Sequence, residues 1–367
     1  MRVQVFANTP AHAHVYRHAV ADLRERGHEV LVLARDYGCT HAILEWHDVP
    51  FESYGRCGTT QRSVFARLPL HYLRIARATR RFDPDVIFGM GAYAAHAGLL
   101  SRTPVVLLLD SEPTGLDHAV SRPFARTLLT PRAFRKDLGE HHYAFEGFKE
   151  SAYLAPSVFS PDPSVREHLA VGPDEPYVLV RFNAFGSHHD VGKSGFAPDE
   201  RQTLVETLGE HATVFVSDEG GDMDLDGLPA RHYELHPALL HDVLAEASLL
   251  VADTQTMVTE AALAGTPAVR SNGFVGDDDM GNFVELERAG LVYNVHNFDD
   301  VRAKAVELLT DEAAAAAWER RHREYVAEMP DLTGVIVEAA LAEGRAEEVP
   351  TLRPWGEVAP SPGARPQ

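Results

Sequence analysis

The sequence contains little cysteine, little lysine and no long apolar run. Its 2 cysteines, Cys39 and Cys57, lack C-x-x-C spacing, so neither a disulfide framework nor a zinc site is predicted. No stretch approaches the roughly 20 continuous apolar residues that cross a bilayer. The first residues, MRVQVFANTP, have the pattern of a strand and not that of a signal peptide. We therefore expect a cytoplasmic protein without an integral membrane segment.

Basic residues are also scarce relative to acidic ones. The chain has 34 Lys and Arg against 54 Asp and Glu, a formal net charge of −20. Such a charge repels nucleic acid and anionic membrane, and we expect no local basic stripe to offset it. An acidic protein that uses arginine in place of lysine is typical of a halophilic archaeon. That hypothesis predicts that the protein loses its fold or its activity in low salt.

Alternating strand and helix patterns predict two α/β units. Val3–Ala7, a helix that ends at Arg26, and the strand Glu29–Ala34 form a βαβ opening. A proline-rich stretch near residues 156–176 marks a boundary, after which the alternation begins again at Tyr177–Arg181. We expect two doubly wound parallel sheets that face each other, over residues 1–172 and 173–325. Short late strands are predicted at Leu128–Thr130 and Tyr153–Ala155.

Residues 251–269, VADTQTMVTEAALAGTPAV, predict a buried strand, a turn and the start of a helix. The helix is predicted to begin near Thr256, and Glu260 lies about one turn inside it. A helix that starts at the carboxyl end of a parallel strand is a prepared anion site, and a carboxylate beside it can accept hydrogen bonds from sugar hydroxyls. The alternative is an ordinary crossover in which Glu260 only complements the helix dipole.

A long polar loop follows the strand Tyr177–Arg181. Its arginine, amide, histidine and glycine residues are suitable ligands for a diphosphate or a sugar, and loops of this length in compact α/β units are usually functional. The candidates are Arg181, Asn183, Gly186, His188 and His189. A metal bound by His188, His189 and Asp190 is a weak alternative because neighbouring residues rarely point at one ion. We predict no metal.

A second polar run, residues 277–282, follows the helix predicted to begin near Thr256. It lacks the ligand spacing and the closing glutamate of a calcium loop. Asp279 and Asn282 are candidates for hydrogen bonds to sugar hydroxyls, and a solvated charge run is the alternative.

The first half carries the candidates for proton transfer. His12 and His14 precede a helix at the carboxyl edge of the first sheet, and histidine can take a proton near neutral pH. A capping or packed histidine is the alternative for each. Asp110 and Glu112, at the end of another strand, are placed to orient the histidine or to act as the base. A G-x-G-x-x-G motif is absent, so an NAD site loses its main support.

Several motifs together resemble a known family. They are NTPAHAHVYRHAVADLRERGHEVLVLARD, FGMGAYAAHAG, LLLDSE, TPRAFRKDLGEHHYAFEGFKESAYLAPSVFSPD and VADTQTMVTEAALAGTPAV. They resemble a domain-of-unknown-function family of predicted archaeal and bacterial glycosyltransferases. More distantly, the chain is similar to nonhydrolysing UDP-N-acetylglucosamine 2-epimerases and peptidoglycan N-acetylglucosaminyltransferases. The resemblance covers about residues 1–330.

That resemblance implies the GT-B fold, with two Rossmann-like domains and a C-terminal helix that crosses back, here residues 326–346. The first domain is implied to hold the acceptor and the second a nucleotide-sugar donor. We expect the tail, residues 347–367, to be disordered because it is rich in proline and glycine.

The resemblance also implies roles for individual residues. Glu260 matches the carboxylate that holds the donor ribose, and Thr256 and Met257 match the backbone donors to the diphosphate. Thr254 belongs to the same turn, which replaces the Ser-Gly-Gly-rich turn of the epimerases. His14 resembles the histidine of the transferases' first loop, although Pro10–Ala13 stands where that loop has glycines.

These observations predict a metal-independent glycosyltransferase. It needs no cofactor, because its donor substrate is a nucleoside-diphosphate sugar. Its acceptor is a glycan, a lipid-linked molecule or a small molecule. A UDP-N-acetylglucosamine 2-epimerase and a non-catalytic nucleotide-sugar binding protein are the alternatives.

Overall fold

A computed structural model of the chain describes residues 1–56, 61–183, 195–221, 223–276 and 279–358, with the backbone alone for residues 61–66. Within these ranges no helix combines the length and the apolar character needed to cross a membrane.

The chain divides into two compact units. The first unit contains Met1–Val158 and Met329–Gln367, and the second contains Phe159–Glu328. The first division lies earlier than the residue 172/173 boundary expected from the sequence. Arg166 explains the difference, because its guanidinium donates to the carbonyl oxygens of Gly172 at 2.9 Å and of Glu246 at 3.0 Å. Residues 159–172 are thereby held to the second unit.

The first unit is an eight-stranded sheet covered by helices. Its strands are β1 (Arg2–Ala7), β2 (Glu29–Asp36), β3 (Phe51–Arg56), β4 (Val86–Gly89), β5 (Val105–Leu108), β6 (Thr127–Pro131), β7 (His142–Phe145) and β14 (Arg353–Pro354). Its helices are α1 (Pro10–Glu25), α2 (Thr40–Trp46), α3 (Gln61–Phe82), α4 (Ala92–Ser101), α5 (Gly115–Ser121), α6 (Ser151–Leu154), α14 (Leu332–Leu341) and α15 (Trp355–Val358). Short 3-10 helices occupy Arg122–Phe124 and Ala346–Glu348.

The strand order of this sheet is β14-β7-β6-β5-β4-β1-β2-β3. All neighbouring strands are parallel except β14, which is antiparallel to β7. The chain first winds from β1 outward to β3 and then from β4 the other way, so right-handed crossovers place α1 and α2 on one face and α3, α4 and α5 on the other. After residue 328 the chain returns to this unit, where α14 packs on α1 and α6.

Three expectations for the first unit are corrected. Neither β3 nor β7 was predicted. For β3 the reason is that the strand is half polar and has only two buried residues. Tyr153–Ala155, predicted as a strand, is the end of helix α6 and its C-cap, since a short apolar run does not distinguish a buried strand from a buried helix. The tail is not disordered over residues 353–358. There Trp355 stacks on His142 with ring centroids 5.1 Å apart.

The second unit is a six-stranded parallel sheet. Its strands are β8 (Tyr177–Phe182), β9 (Thr213–Asp218), β10 (Ala230–His232), β11 (Leu249–Ala252), β12 (Ala268–Arg270) and β13 (Val292–Asn294). Its helices are α7 (Val165–His168), α8 (Pro198–Gly209), α9 (Leu240–Ala245), α10 (Thr256–Ala264), α11 (Gly281–Arg288), α12 (Phe298–Thr310) and α13 (Glu312–Ala327), with a 3-10 turn at Pro237–Leu239.

The strand order of the second sheet is β10-β9-β8-β11-β12-β13. The chain winds outward from β8 in one direction and then restarts beside β8 at β11. This is the order of Rossmann-type dinucleotide folds, in which ligands bind where the winding reverses. The reversal point here lies between the carboxyl ends of β8 and β11.

Candidate functional site

Asp253 lies at the reversal point of the second sheet, directly after β11, and is fully buried. Its Oδ1 accepts a hydrogen bond from the backbone N–H of Asn183 at 2.7 Å, and its Oδ2 accepts one from the N–H of Phe196 at 3.3 Å. Burial of the carboxyl group raises the pKa of Asp253 to about 6. Asp253 therefore anchors both ends of the polar loop that follows β8. The sequence pattern alone indicates only a turn at this residue.

Arg201 on α8 supports the same loop. Its Nη2 donates to the carbonyl oxygen of Asn183 at 3.3 Å and lies 3.9 Å from Oδ2 of Asp253. The guanidinium also lies over the ring of Phe182, 4.8 Å from its centroid. Nothing in the sequence pattern identified Arg201, because its role depends on α8 packing beside β8.

The N-terminus of α10 opens next to Asp253. Gln255, the N-cap, makes no side-chain capping bond within the described residues, and the first turn of the helix holds no acidic side chain. Thr254 and Thr256 are half-buried and Met257 is buried. The Oγ1 atom of Thr254 is buried without a hydrogen-bond partner among the described residues. Uncapped N–H groups and the positive end of the helix dipole are suited to an anion.

Glu260 lies one turn inside α10 and is 5% exposed. Its Oε1 is 3.2 Å from Nε2 of His241, a buried residue of α9. The rings of His241 and Phe159 are nearly perpendicular, with centroids 6.4 Å apart. His241 thus orients the carboxylate of Glu260. Nothing in the sequence pattern indicates His241, since only the packing of α9 on α10 brings the two residues together.

The predicted donor ligands after β8 have different surroundings. The guanidinium of Arg181 donates to Oγ of Ser217 at 2.6 Å and forms an ion pair with Glu219, so its charge is already balanced. Asn183 is half-buried and its backbone is held by Asp253 and Arg201. Gly186, His188 and His189 lie outside the described residues.

Asp279 belongs to a buried ion pair. Its two oxygens accept hydrogen bonds from Arg270 at 2.6 and 3.1 Å, and Arg270 is fully buried beneath the ring of Phe283. Asn282 donates to Oγ1 of Thr259 at 3.2 Å. A buried guanidinium requires a carboxylate partner. Asp279 therefore balances the charge of Arg270 inside the unit. The sequence had suggested that it binds sugar hydroxyls or belongs to a solvated charge run.

The carboxyl edge of the first sheet brings together His12, Asp110 and Lys149. The ammonium of Lys149 forms an ion pair with Asp110 and lies 3.5 Å from Oε1 of Glu150. Nδ1 of His12 accepts a hydrogen bond from the N–H of Asn8 at 3.3 Å. Burial, assisted by the charge of Lys149, lowers the pKa of His12 to about 3.

The protonation of His12 follows from these contacts. At neutral pH the ring is uncharged, and because Nδ1 accepts a hydrogen bond, the ring proton is on Nε2. His12 is therefore arranged as a hydrogen-bond donor. This arrangement disfavours the general-base role expected for it from the sequence.

His14 and Glu112 lie in packing contacts. His14 is 4% exposed, and its ring centroid is 5.3 Å from that of Tyr153 and 6.0 Å from that of His47. Glu112 is buried, and its Oε1 accepts a hydrogen bond from the N–H of Arg135 at 3.1 Å. The structure thus unites Asp110 with His12 but gives His14 and Glu112 other partners.

Over the ranges that the structure describes, no group of three or more His, Cys, Asp or Glu side chains is arranged to hold a metal ion.

Comparisons with known proteins establish the fold. The chain is similar to a UDP-GlcNAc 2-epimerase from Neisseria meningitidis solved with UDP-GlcNAc (11% identity, TM-score 0.63, covering 93% of this chain and 100% of that one). It is also similar to the spinosyn forosaminyltransferase SpnP (15% identity, TM-score 0.65, covering 94% of this chain and 100% of that one). A third similar structure is the glycosyltransferase VinC in complex with dTDP (15% identity, TM-score 0.59, covering 94% of this chain and 100% of that one). No family model and no curated protein matches the sequence. The chain thus has the two-domain α/β GT-B fold expected from the sequence, and its membership of the resembled family stays a prediction.

Proposed function

We propose that the chain is a glycosyltransferase whose second unit binds a nucleoside-diphosphate sugar and whose first unit supplies the groups that act on the acceptor. The observation that carries the proposal is the position of Glu260. This carboxylate is buried one turn inside the helix that starts at the reversal point of a Rossmann-ordered sheet.

The donor fits the geometry of α10. Its N-terminus offers uncapped N–H groups to a diphosphate. Glu260 lies four residues from Thr256, a rise of about 6 Å along the helix, which suits the ribose attached to that diphosphate. A carboxylate accepts hydrogen bonds from two vicinal hydroxyls, and His241 fixes its orientation. Glycosyltransferases and nucleotide-sugar enzymes among the structural neighbours support this assignment.

In the proposed reaction the acceptor hydroxyl oxygen forms a bond to the anomeric carbon, while the bond from that carbon to the diphosphate breaks. Asp110 accepts the hydroxyl proton, Lys149 holds the carboxylate in place, and Nε2–H of His12 donates a hydrogen bond to the acceptor. The dipole of α10 stabilises the charge of the departing diphosphate. The proposal includes the prediction from the sequence that no metal takes part, so the transfer should proceed in EDTA.

The test is the affinity of the full chain for UDP and dTDP, measured by calorimetry. Glu260→Ala and Glu260→Gln should weaken binding of the nucleotide on the order of 100-fold, because hydrogen bonds to a charged group are lost. Glu206→Ala, an exposed glutamate on α8, is the matched control and should bind like the wild type. Unchanged affinity in both Glu260 variants overturns the donor site.

A 2-epimerase is the second candidate, because the similarity to the epimerase is of the same degree as that to the transferases. Incubation with UDP-N-acetylglucosamine alone separates the two functions. A manno product identifies an epimerase, whereas release of UDP only after an acceptor is added identifies a transferase. Donor binding without either product identifies a non-catalytic binding protein.

A further inference from the structure

Helix α3 of the first unit has a charge opposite to that of the chain. Within Gln61–Phe82 the sequence contains six arginines and neither Asp nor Glu, in a chain of net charge −20. The arginines are Arg62, Arg67, Arg74, Arg77, Arg80 and Arg81. The expectation that no local basic stripe exists is therefore wrong. It was drawn from the net charge, which hides a local excess of the opposite sign.

The arginines share their surface with exposed leucines. Leu70 and Leu73 on α3 are 46% and 67% exposed, and Arg67, Arg74, Arg77 and Arg80 are exposed around them. Positions 70, 73, 74, 77 and 81 recur at helical spacing, so they lie on one side of the helix. The helix therefore exposes leucine and arginine together on one side, where Arg81 also forms an ion pair with Glu52.

The apolar surface continues on the next two helices. Leu99 and Leu100 at the end of α4 are more than half exposed, and Leu116 on α5 is 80% exposed. Val120 on α5 and Phe124 in the following turn are also exposed.

His96 on α4 connects the three helices. The hydroxyl of Tyr72 on α3 donates to Nδ1 of His96 at 2.7 Å, and Nε2 of His96 donates to the carbonyl oxygen of Val120 at 2.9 Å. The ring of Phe124 packs edge-on against His96 with centroids 5.5 Å apart. Leu99 and Leu100 follow His96 by three and four residues and so lie on the same side of α4. We call this surface the α3–α5 face.

The charge and the apolar content of this face together identify its occupant. Exposed leucines favour an apolar partner, and arginines beside them favour a negatively charged one. A bilayer with anionic headgroups offers both at once, since a basic amphipathic helix lies in the interface with its leucines below the headgroups. A nucleic acid would match the arginines but leave the leucines in water. We propose that the α3–α5 face docks the protein on an anionic lipid surface, without any segment that spans it.

The test is flotation of the full chain with vesicles of phosphatidylcholine, with and without phosphatidylglycerol. The wild type should float with the anionic vesicles and much less with the neutral ones. Arg77→Gln/Arg80→Gln should weaken binding about 30-fold, because each arginine near a charged surface contributes about fivefold. Leu70→Ser/Leu73→Ser should weaken it on the order of tenfold or more.

Matched controls lie in the second unit. Arg320→Gln/Arg323→Gln on α13 and Val284→Ser on α11 change exposed residues of the same types and should bind vesicles like the wild type. The α3 variants should keep the wild-type affinity for UDP, so that failure of the lipid proposal is distinct from failure of the nucleotide site.

Three results would overturn the proposal. The first is that the wild type and all variants float to the same extent with the anionic and the neutral vesicles. The second is a concentration-dependent dimer, seen by sedimentation, that the leucine variants abolish. The third is binding to RNA, and not to vesicles, that the arginine variants abolish.

Discussion

The carboxyl edge of each sheet holds one titratable group whose neutral form is favoured by burial. The pKa shifts are in opposite directions, because one group is a base and the other an acid. In the first unit burial lowers the pKa of His12 to about 3, and in the second it raises the pKa of Asp253 to about 6. Both shifts have the same largest cause, the loss of water around a charged form. The first edge keeps its charge in the mostly buried Asp110–Lys149 pair. The second keeps a carboxylate held by backbone N–H donors.

This difference separates two tasks. A carboxylate locked by N–H groups holds a loop in place, which suits binding. A carboxylate that is 26% exposed and lies next to an ammonium and a neutral imidazole can exchange a proton with a substrate, which suits chemistry. The three predictions below test this division of tasks.

The largest effect is expected in the second unit, at the buried pair of Arg270 and Asp279. Asp279→Asn should lower the free energy of unfolding by about 3–5 kcal/mol, because it leaves a buried guanidinium without its counter-charge. Urea unfolding, followed by the fluorescence of the buried Trp318, measures this free energy. The measurement uses a protein in which Trp46 and Trp355 are replaced by Phe. Glu285→Gln, which breaks an exposed pair, should cost less than about 1 kcal/mol. Equal losses in both variants would contradict the assignment.

A smaller effect, confined to the rate, is expected at the first edge. Asp110→Asn should lower kcat of the transfer about 100- to 1,000-fold, the usual contribution of a general base. The affinity for UDP should stay unchanged, since the donor site lies in the second unit. Glu146→Gln, an exposed carboxylate of the same unit, is the control. A loss of nucleotide affinity without a loss of kcat would show that Asp110 belongs to binding.

The smallest effect is the response of stability to pH, and its sign differs between His12 and Asp253. Folded His12 and His142 stay neutral down to pH values of about 3 and 4, whereas the unfolded chain protonates histidine below 6.5. The first unit should therefore lose stability as the pH falls below 6.5. Folded Asp253 is protonated below about 6 and unfolded aspartate only below 3.8, so its contribution is present at low pH and is lost as the pH rises through 6.

Each titrating group should change the free energy of unfolding by about 1.4 kcal/mol per pH unit within its window. Urea unfolding at pH 4.5 to 7, monitored by Trp355 for the first unit and Trp318 for the second, measures both slopes. His12→Gln should flatten the slope of the first unit alone. A slope that His12→Gln leaves unchanged would refute the comparison.

The element order was largely predictable because buried parallel strands appear as continuous apolar runs. RVQVFA, YVLVRF and LLVA form β1, β8 and β11 as such runs suggest. FESYGR escaped prediction because β3 is an edge strand with few buried residues. Glu260 was placed correctly one turn inside α10, since the turn residues before it mark the helix start.

The sequence by itself determined where most helices and strands begin, the position of Glu260 and the arginine content of α3, because these depend on residues close together in the chain. The tertiary structure alone decided the partners. It set β8 beside β11 and so brought the N–H groups of Asn183 and Phe196 to Asp253. It likewise brought His241 to Glu260. Ion pairing and pKa depend on groups within a few ångströms, and packing draws those groups from distant parts of the chain.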